Sequence, residues 1–203
     1  MSNAHEDVPP LGPVTLAGRF VRLEPLRHAH VDDLLRAAED DRIWAWLPRR
    51  LQERHAIERF VADAVARERD GTEFPFAVVL LNPERVVGST RFMDVNVADR
   101  GVEIGWTWYS PDVWGSPLNP EAKLLLLRHA FETWRAIRVY FKTDERNERS
   151  RAAILKLGAK FEGILRNHRV RQDGSYRGSA VYSIIESEWR DVERGLIDRL
   201  PAD

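Results

Sequence analysis

Glu103 is the lone carboxylate in a run of nine residues, Gly101–Tyr109 (GVEIGWTWY), that otherwise alternates large apolar side chains with small or polar ones. Read as a strand, with side chains alternating between faces, the run puts Val102, Ile104, Trp106 and Trp108 on one face. Glu103, Gly105, Thr107 and Tyr109 fall on the other. The first face is core. The second holds a carboxylate beside a glycine and a small threonine, and a glycine inside a strand often marks the close approach of a ligand or a second backbone. A carboxylate with space in front of it is a candidate for proton transfer. The same residue on a solvated face, or paired with a cation, would do no chemistry.

The run feeds a loop rich in Gly, Pro and Asn and then a strongly apolar helix, predicted to begin near Pro120. Asn119 is a natural N-cap, and proline is favoured at the first helical position. Leu124, Leu127, Phe131 and Trp134 recur at helical spacing. Strand, loop and helix start together make an anion site, because the unpaired N–H groups and the positive end of the helix dipole attract phosphate. Lys123, one turn into the helix, would add positive charge there or simply point to water.

A second pair, Asn147 and Ser150, forms Asn-x-x-Ser where a strand passes into a helix. Read locally, Asn147 is an N-cap and Ser150 a first-turn residue. Tyr109, Tyr140 and Tyr182 carry hydroxyls in strands, where packing is the ordinary role of tyrosine. Of the six histidines only His28 and His30 are close, and a spacing of two does not put both on one helix face, so no metal site is predicted. The chain has no cysteine, which removes disulfides, Cys-ligated zinc and a thiol nucleophile.

The totals bound the setting. With 203 residues, 43% hydrophobic and 31% charged, the composition is that of one soluble globular domain and not of a disordered chain. Lys and Arg number 31 against 32 Asp and Glu, a balance without the basic excess of a general nucleic-acid binder. The longest strongly apolar run, Phe76–Leu81, is far shorter than the ~18 residues of a membrane span. Glu6, Asp7 and two prolines stand where a signal peptide needs an apolar stretch. A cytoplasmic protein with no membrane partner is expected. Residues 1–13 read as a loose leader, with a cloning remnant at 2–4, and 14–203 as a single domain.

Period and punctuation supply the elements that must position these groups. Val14–Pro25 reads as two strand pieces about Ala17-Gly18, and His28–Asp40 as an amphipathic helix. Ile43–Pro48 (IWAWLP) reads as a packed loop, its tryptophans core plugs or, for one of them, the wall of a pocket. Glu53–Arg69 is a second helix stopped by Asp70-Gly71, and Phe74–Leu81 with Arg85–Asp94 a hairpin across Asn82-Pro83-Glu84. After the central strand and its helix come a strand Arg138–Asp144 and a short helix Asn147–Leu157 stopped at Gly158. A closing hairpin of Phe161–Val170 and Tyr176–Ile185 follows, then a last helix with Trp189, Val192, Leu196 and Leu200. This order describes an α/β (α+β) fold, a mixed sheet covered by helices on its faces.

Taken together and in order, LAGRFVRLEPL, VEIGWTW with WGSPLNPEAK and LLLLRHAFE, DERNERSRAAILKLGAKFEG and DGSYRGSAVYSIIESEW resemble the GNAT superfamily of acyl-CoA-dependent N-acyltransferases. Within it they look like the RimJ/RimL-like branch, over roughly Leu16–Trp189. The resemblance implies a mostly antiparallel central sheet whose fourth and fifth strands, here Gly101–Tyr109 and Arg138–Asp144, splay apart. It implies that the pantetheine arm of acetyl-CoA enters the gap along Trp106, Trp108 and Tyr109. The pyrophosphate would rest on the loop of Trp114, Gly115, Ser116, Leu118 and Asn119, with Lys123 behind it. Asn147 would contact pantetheine or organise the loop, Ser150 would donate to the departing sulfur, and Glu103 would be the general base. One departure stands out: against the usual pattern of Gln or Arg, two residues, Gly, one residue, then Gly or Ala, the chain carries Trp114, Pro117 and Asn119 at the marked positions, and Pro117 removes an N–H donor.

The implied activity is that of an acetyl-CoA-dependent N-acetyltransferase. Without cysteine, direct attack by the acceptor amine in a ternary complex is the simplest scheme, with strand N–H groups near Trp108 stabilising the oxyanion. The acceptor, a protein N-terminus or a small-molecule amine, stays open, as do acyl-chain length and a homodimeric state. A basic stretch of Arg166, His168, Arg169 and Arg171 reads as a solvated face or as a contact for phosphate or an acidic acceptor. The alternative from another class is a non-catalytic acyl-CoA-binding or protein-interaction module on the same fold.

Overall fold

Eight strands form one sheet in the computed structural model, which describes residues 10–202. They are β1 (Leu16–Ala17), β2 (Val21–Pro25), β3 (Phe74–Leu81), β4 (Glu84–Asn96), β5 (Gly101–Tyr109), β6 (Arg138–Asp144), β7 (Lys160–Val170) and β8 (Tyr176–Ile185). They lie in chain order except that β8 inserts between β6 and β7. Every neighbouring pair is antiparallel save β5 and β6, which run parallel because a helix connects them.

Helices α1 (Val31–Ala37) and α2 (Arg54–Arg69) cover one face of β3–β5, where Leu34, Ile57, Phe60 and Val61 pack with Val79, Trp44 and Trp108. Helices α3 (Leu118–Arg128), α4 (Glu148–Lys156) and α5 (Trp189–Ile197) cover the other face. There Leu126, Leu127, Ile154, Trp189 and Leu196 meet Val21, Phe76, Phe92, Val102 and Val139. The apolar spacing expected after the central strand is real: Leu124, Leu127, Phe131 and Trp134 are all buried, although the last part runs as a π turn, His129–Thr133. Leu11 of the expected leader packs into this core as well, while residues 1–9 lie outside the described residues.

Three expectations about the helices and turns need correction. The first helix is shorter than His28–Asp40, because a 3-10 turn at His28–His30 precedes α1. The loop Ile43–Pro48 is largely a 3-10 turn, Asp41–Trp46, in which Trp44 is a core plug but Trp46 is 39% exposed. The helix after β5 begins at Leu118 with Pro117 at the cap position, so Asn119 and Pro120 sit inside its first turn and neither has the role expected of it.

The largest correction concerns the alternation of β5. Arg91 of β4 faces Gly105, but Ser89 faces Trp108, so β5 carries one extra residue there. Trp106 takes it up with a φ of 49°, which makes a β-bulge. Before the bulge Val102 and Ile104 face α3; after it Tyr109 does. Trp106 and Trp108 are turned to the α1–α2 side, the face of Glu103, where their rings meet Phe60. A strict two-residue period cannot reveal this, since one inserted residue reverses every side chain beyond it.

The same bulge bears on the gap in the sheet. β5 and β6 pair only through Gly101 with Arg138, Val102 with Val139 and Glu103 with Tyr140. Past that point β5 runs on to Tyr109 and β6 to Asp144 without pairing to each other. A bulge increases local twist, while β6 stays locked to β8 along its whole length, down to Asp144 opposite Ser179. The two strands therefore diverge, giving the splay expected of the fourth and fifth strands once β1 and β2 are counted as one.

Candidate functional site

The mouth of the splay is bordered by two loops and two helix starts. On the α1–α2 face stands Glu103, only 6% exposed, with its Oε2 2.9 Å from Lys142 Nζ of β6. Burial raises the pKa of Glu103, and the hydrogen bond and charge of Lys142 oppose that rise. Lys142 also lies 3.6 Å from Asp94, whose carboxylate accepts the Tyr140 hydroxyl. Burial and that acceptor push the Tyr140 pKa far up, so the hydroxyl keeps its proton. Glu103 is thus the ion-paired residue of one sequence reading and also a carboxylate held in a site that favours proton uptake. The space left by Gly105 is filled from within: a Cβ there would stand 2.7 Å from Met93 Sδ and 3.2 Å from Glu103 Oε1.

The closing hairpin walls this side. Asp144, 2% exposed, accepts Arg171 Nε at 2.7 Å and Nη2 at 3.0 Å, and the Arg146 N–H at 2.9 Å. Burial alone would raise its pKa, but the arginine and the backbone donor hold it below the usual carboxylate range. Gln172, at the hairpin turn, donates to the carbonyls of Trp44 and Leu47 and so ties the hairpin to the tryptophan turn across the gap. Of the basic stretch, Arg171 is spent on Asp144 and His168 contacts Ser179 at 2.9 Å.

On the other side lies the Gly/Pro/Asn loop. The indole N–H of Trp114 donates to the Tyr109 carbonyl at 3.0 Å, and its ring lies under Arg149 of α4, 3.8 Å from the guanidinium carbon. Gly115 has a φ of 77°, a conformation suited to glycine. Ser116 performs the capping assigned to Asn119: its hydroxyl donates to the Val113 carbonyl at 2.7 Å and accepts the Leu118 N–H at 3.3 Å. Pro117 and Pro120 have no N–H, and the Glu121 N–H is used by the Pro117 carbonyl. The N–H groups of Gly115 and Asn119 have no protein partner among the described residues.

Two side chains of α3 point away from this loop. Glu121 accepts the backbone N–H groups of Arg19, Phe20 and Val21 at 2.8, 2.6 and 2.9 Å, mooring the helix start to the turn between β1 and β2. Lys123 is 5% exposed, and its Nζ donates 2.7 Å to Thr107 Oγ1, which is 2.8 Å from Thr90 Oγ1. Burial lowers the Lys123 pKa to about 7.

At the start of α4, Asn147 is the N-cap, its Oδ1 accepting the Ser150 N–H at 3.0 Å. Both residues are half-buried beside the gap. Tyr182 is spoken for by Arg151 Nε at 2.9 Å. The Tyr109 hydroxyl and the Trp108 indole N–H are buried without a protein partner among the described residues. Burial raises the Tyr109 pKa well beyond its normal value, so it offers a proton and does not lose one. No group of three His, Cys, Asp or Glu arranged to hold a metal occurs among the described residues, and no described helix is long and apolar enough to cross a membrane.

Sequence reasoning missed Asp144, Glu121, and the buried pair of Arg91 with Glu73, 2.6 Å apart under Trp106 and Phe60. Charged residues within apolar runs were the available signal, and each is partnered across a long sequence distance.

Residues 21–160 match the acetyltransferase (GNAT) domain. Among solved structures, a T. thermophilus protein assigned as an acetyltransferase is 38% identical, with 94% of this chain and 99% of that one aligned at a TM-score of 0.84. A GCN5-related N-acetyltransferase from Brucella melitensis is 28% identical over 96% of this chain and 88% of the other, with a TM-score of 0.89. RimJ of Mycobacterium smegmatis, solved in complex with CoA-disulfide, shares the fold at a TM-score of 0.80 and 22% identity, covering 92% and 94% of the two chains. A search of the curated proteins found no match.

Proposed function

The chain belongs to the acetyltransferase (GNAT) family, and from that premise we propose that it is an acetyl-CoA-dependent N-acetyltransferase of the RimJ/RimL-like kind. It transfers an acetyl group to a primary amine, on a protein N-terminus or a small molecule, within a ternary complex. The observation that carries this reading is the end of β5–β6 pairing at Glu103 and Tyr140. Beyond it lies a slot with strand backbone on one wall, a helix N-terminus at one end and a carboxylate at the other. A thin arm ending in a diphosphate fits that outline, with the Gly115 and Asn119 N–H groups as donors. The Mycobacterium smegmatis RimJ complex with CoA-disulfide supports the same occupant.

Bound acetyl-CoA supplies the activated acyl carbon and a thiolate leaving group. The chain supplies the rest. Glu103 takes the amine proton, directly or through water, and its raised pKa moves it toward the range where a base works at neutral pH. Lys142 holds that carboxylate in place. Backbone N–H groups of β5 near Trp108 face the developing oxyanion, Asn147 fixes the start of α4, and the Ser150 hydroxyl donates to the leaving sulfur. The alternative is a non-catalytic acyl-CoA module, favoured by one observation: two prolines leave the phosphate loop with few donors.

Calorimetric titration with acetyl-CoA, with desulfo-CoA for comparison, tests the reading. Micromolar affinity, roughly −8 kcal/mol, is expected. Absence of binding at millimolar ligand would refute it, and binding without transfer to any amine in a broad acceptor panel would favour the module.

A further inference from the structure

Lys123 is a buried amine that the chemistry above leaves unused. Its only partner among the described residues is a neutral hydroxyl, that of Thr107. The groups around it offer no countercharge. On α3 itself, Glu121 is given to three backbone N–H groups and Arg128 to Glu193 of α5. His129, at the end of the helix, is pushed toward its neutral form by burial. From β4 and β5 come the hydroxyls of Thr90 and Thr107, both neutral. Desolvation is accordingly the one cause of its lowered pKa, about 7, and at neutral pH roughly half the molecules carry the proton.

Lys123 is the sixth residue of α3, so it lies only ~8 Å along the axis from the helix start at 1.5 Å per residue. We propose that Lys123 takes up a proton when the acyl-CoA diphosphate seats on the Trp114–Asn119 loop, so that ligand binding is coupled to charging of a buried amine that does not touch the ligand. This rests on the acyl-CoA reading of that loop. A diphosphate brings about two negative charges to the end of the helix nearest the amine, and protein between them screens less than water does. A rise of about two pKa units in Lys123 is the expected response.

The test is titration calorimetry of the full chain with acetyl-CoA, which has no free thiol, in pairs of buffers with different ionisation heats. From a free value of about 7 and a two-unit rise, proton uptake per ligand should be about 0.1 at pH 6, about 0.5 at pH 7 and about 0.8 at pH 8. Affinity should weaken about tenfold from pH 7 to 8.5. Lys123→Met should bind with no uptake at pH 8 and no such weakening. The ligand's own phosphate, with a pKa near ~6, is common to both proteins and silent at pH 8. Binding by the wild type whose heat is independent of buffer at pH 8 would overturn the coupling while leaving the acyl-CoA reading intact. Uptake retained in Lys123→Met would overturn the assignment to this residue. Should that variant not fold, the wild-type measurement at pH 8 still decides. No binding heat at all would remove the acyl-CoA reading and this inference together.

Discussion

Removing the Glu121 carboxylate should unmoor the start of α3, and the size of the effect can be worked from its surroundings. Its two oxygens accept three N–H groups from the β1–β2 turn. Arg19 is exposed and its N–H can return to water, whereas Val21 is fully buried and Phe20 half-buried. Glu121→Ala therefore strands about two donors at roughly 1–3 kcal/mol each. A loss near ~4 kcal/mol follows, or about a 10 °C fall in Tm for a chain of this length. Gly18 belongs to the same unit, because a Cβ there would lie 2.4–2.8 Å from the carboxylate atoms of Glu121. Gly18→Ala must push the carboxylate off its donors and should cost a comparable amount in the wild type. In the Glu121→Ala background that clash is gone, so the same change should cost under ~1 kcal/mol. Urea unfolding of the four proteins, followed by circular dichroism, closes the cycle. Additive effects of the two substitutions, or a Glu121→Ala loss below ~1 kcal/mol, would refute the reasoning.

Glu103→Gln should lower kcat by about 10²–10⁴ while leaving acetyl-CoA affinity near wild type, read from thiol release at saturating amine. The absence of cysteine from the chain keeps the thiol background clean. Asp144 has a depressed folded pKa, so its contribution is present above the unfolded value of about 3.9 and is lost as pH falls through the folded value. Asp144→Asn should lower stability at pH 7 and flatten the acid limb of Tm against pH below ~4. Lys123 gives a slope of the same sign, although here the charged form destabilises the fold. Its folded value, about 7, lies below the ~10.4 of the unfolded chain, so the unfolded state binds more protons between the two and stability should rise with pH there. Lys123→Met should abolish that rise and raise Tm at neutral pH, with as much as ~4 kcal/mol relieved; an unchanged pH slope would show that the amine is not desolvated as described.

Much of this was legible from local pattern. β3, β6 and β8 begin and end where period-two alternation and turn residues place them. Asn147 and Gly158 bracket α4 as a side-chain cap and a left-handed stop, both local signals. The misread parts depend on non-local partners. Trp106 looks like any alternating strand residue until the pairing with β4 shows the extra residue. Asn119 looks like a cap until Ser116, three residues earlier, is seen to hold the Leu118 N–H. Lys123 looks like a solvated helix residue because a sequence does not show that Thr107 is turned toward it. Glu103 is ion-paired with Lys142, one of the two readings made from sequence, and it is also buried with a raised pKa, which no local pattern shows.

The short parallel ladder between β5 and β6 also has a mechanical meaning. Three residue pairs are all the pairing that sutures a block of β1–β5 to a block of β6, β8 and β7. Outside that ladder, the two blocks meet through side-chain contacts such as Gln172 on the tryptophan turn and Arg149 on Trp114, and through helices packed beneath them. The fault line of the sheet and the proposed binding slot are therefore one place. Any ligand long enough to touch both walls acts as a strut between two halves whose sheet pairing is confined to that ladder, and its arrival should be felt as slowed amide exchange in β6 and β8, well away from the atoms it contacts.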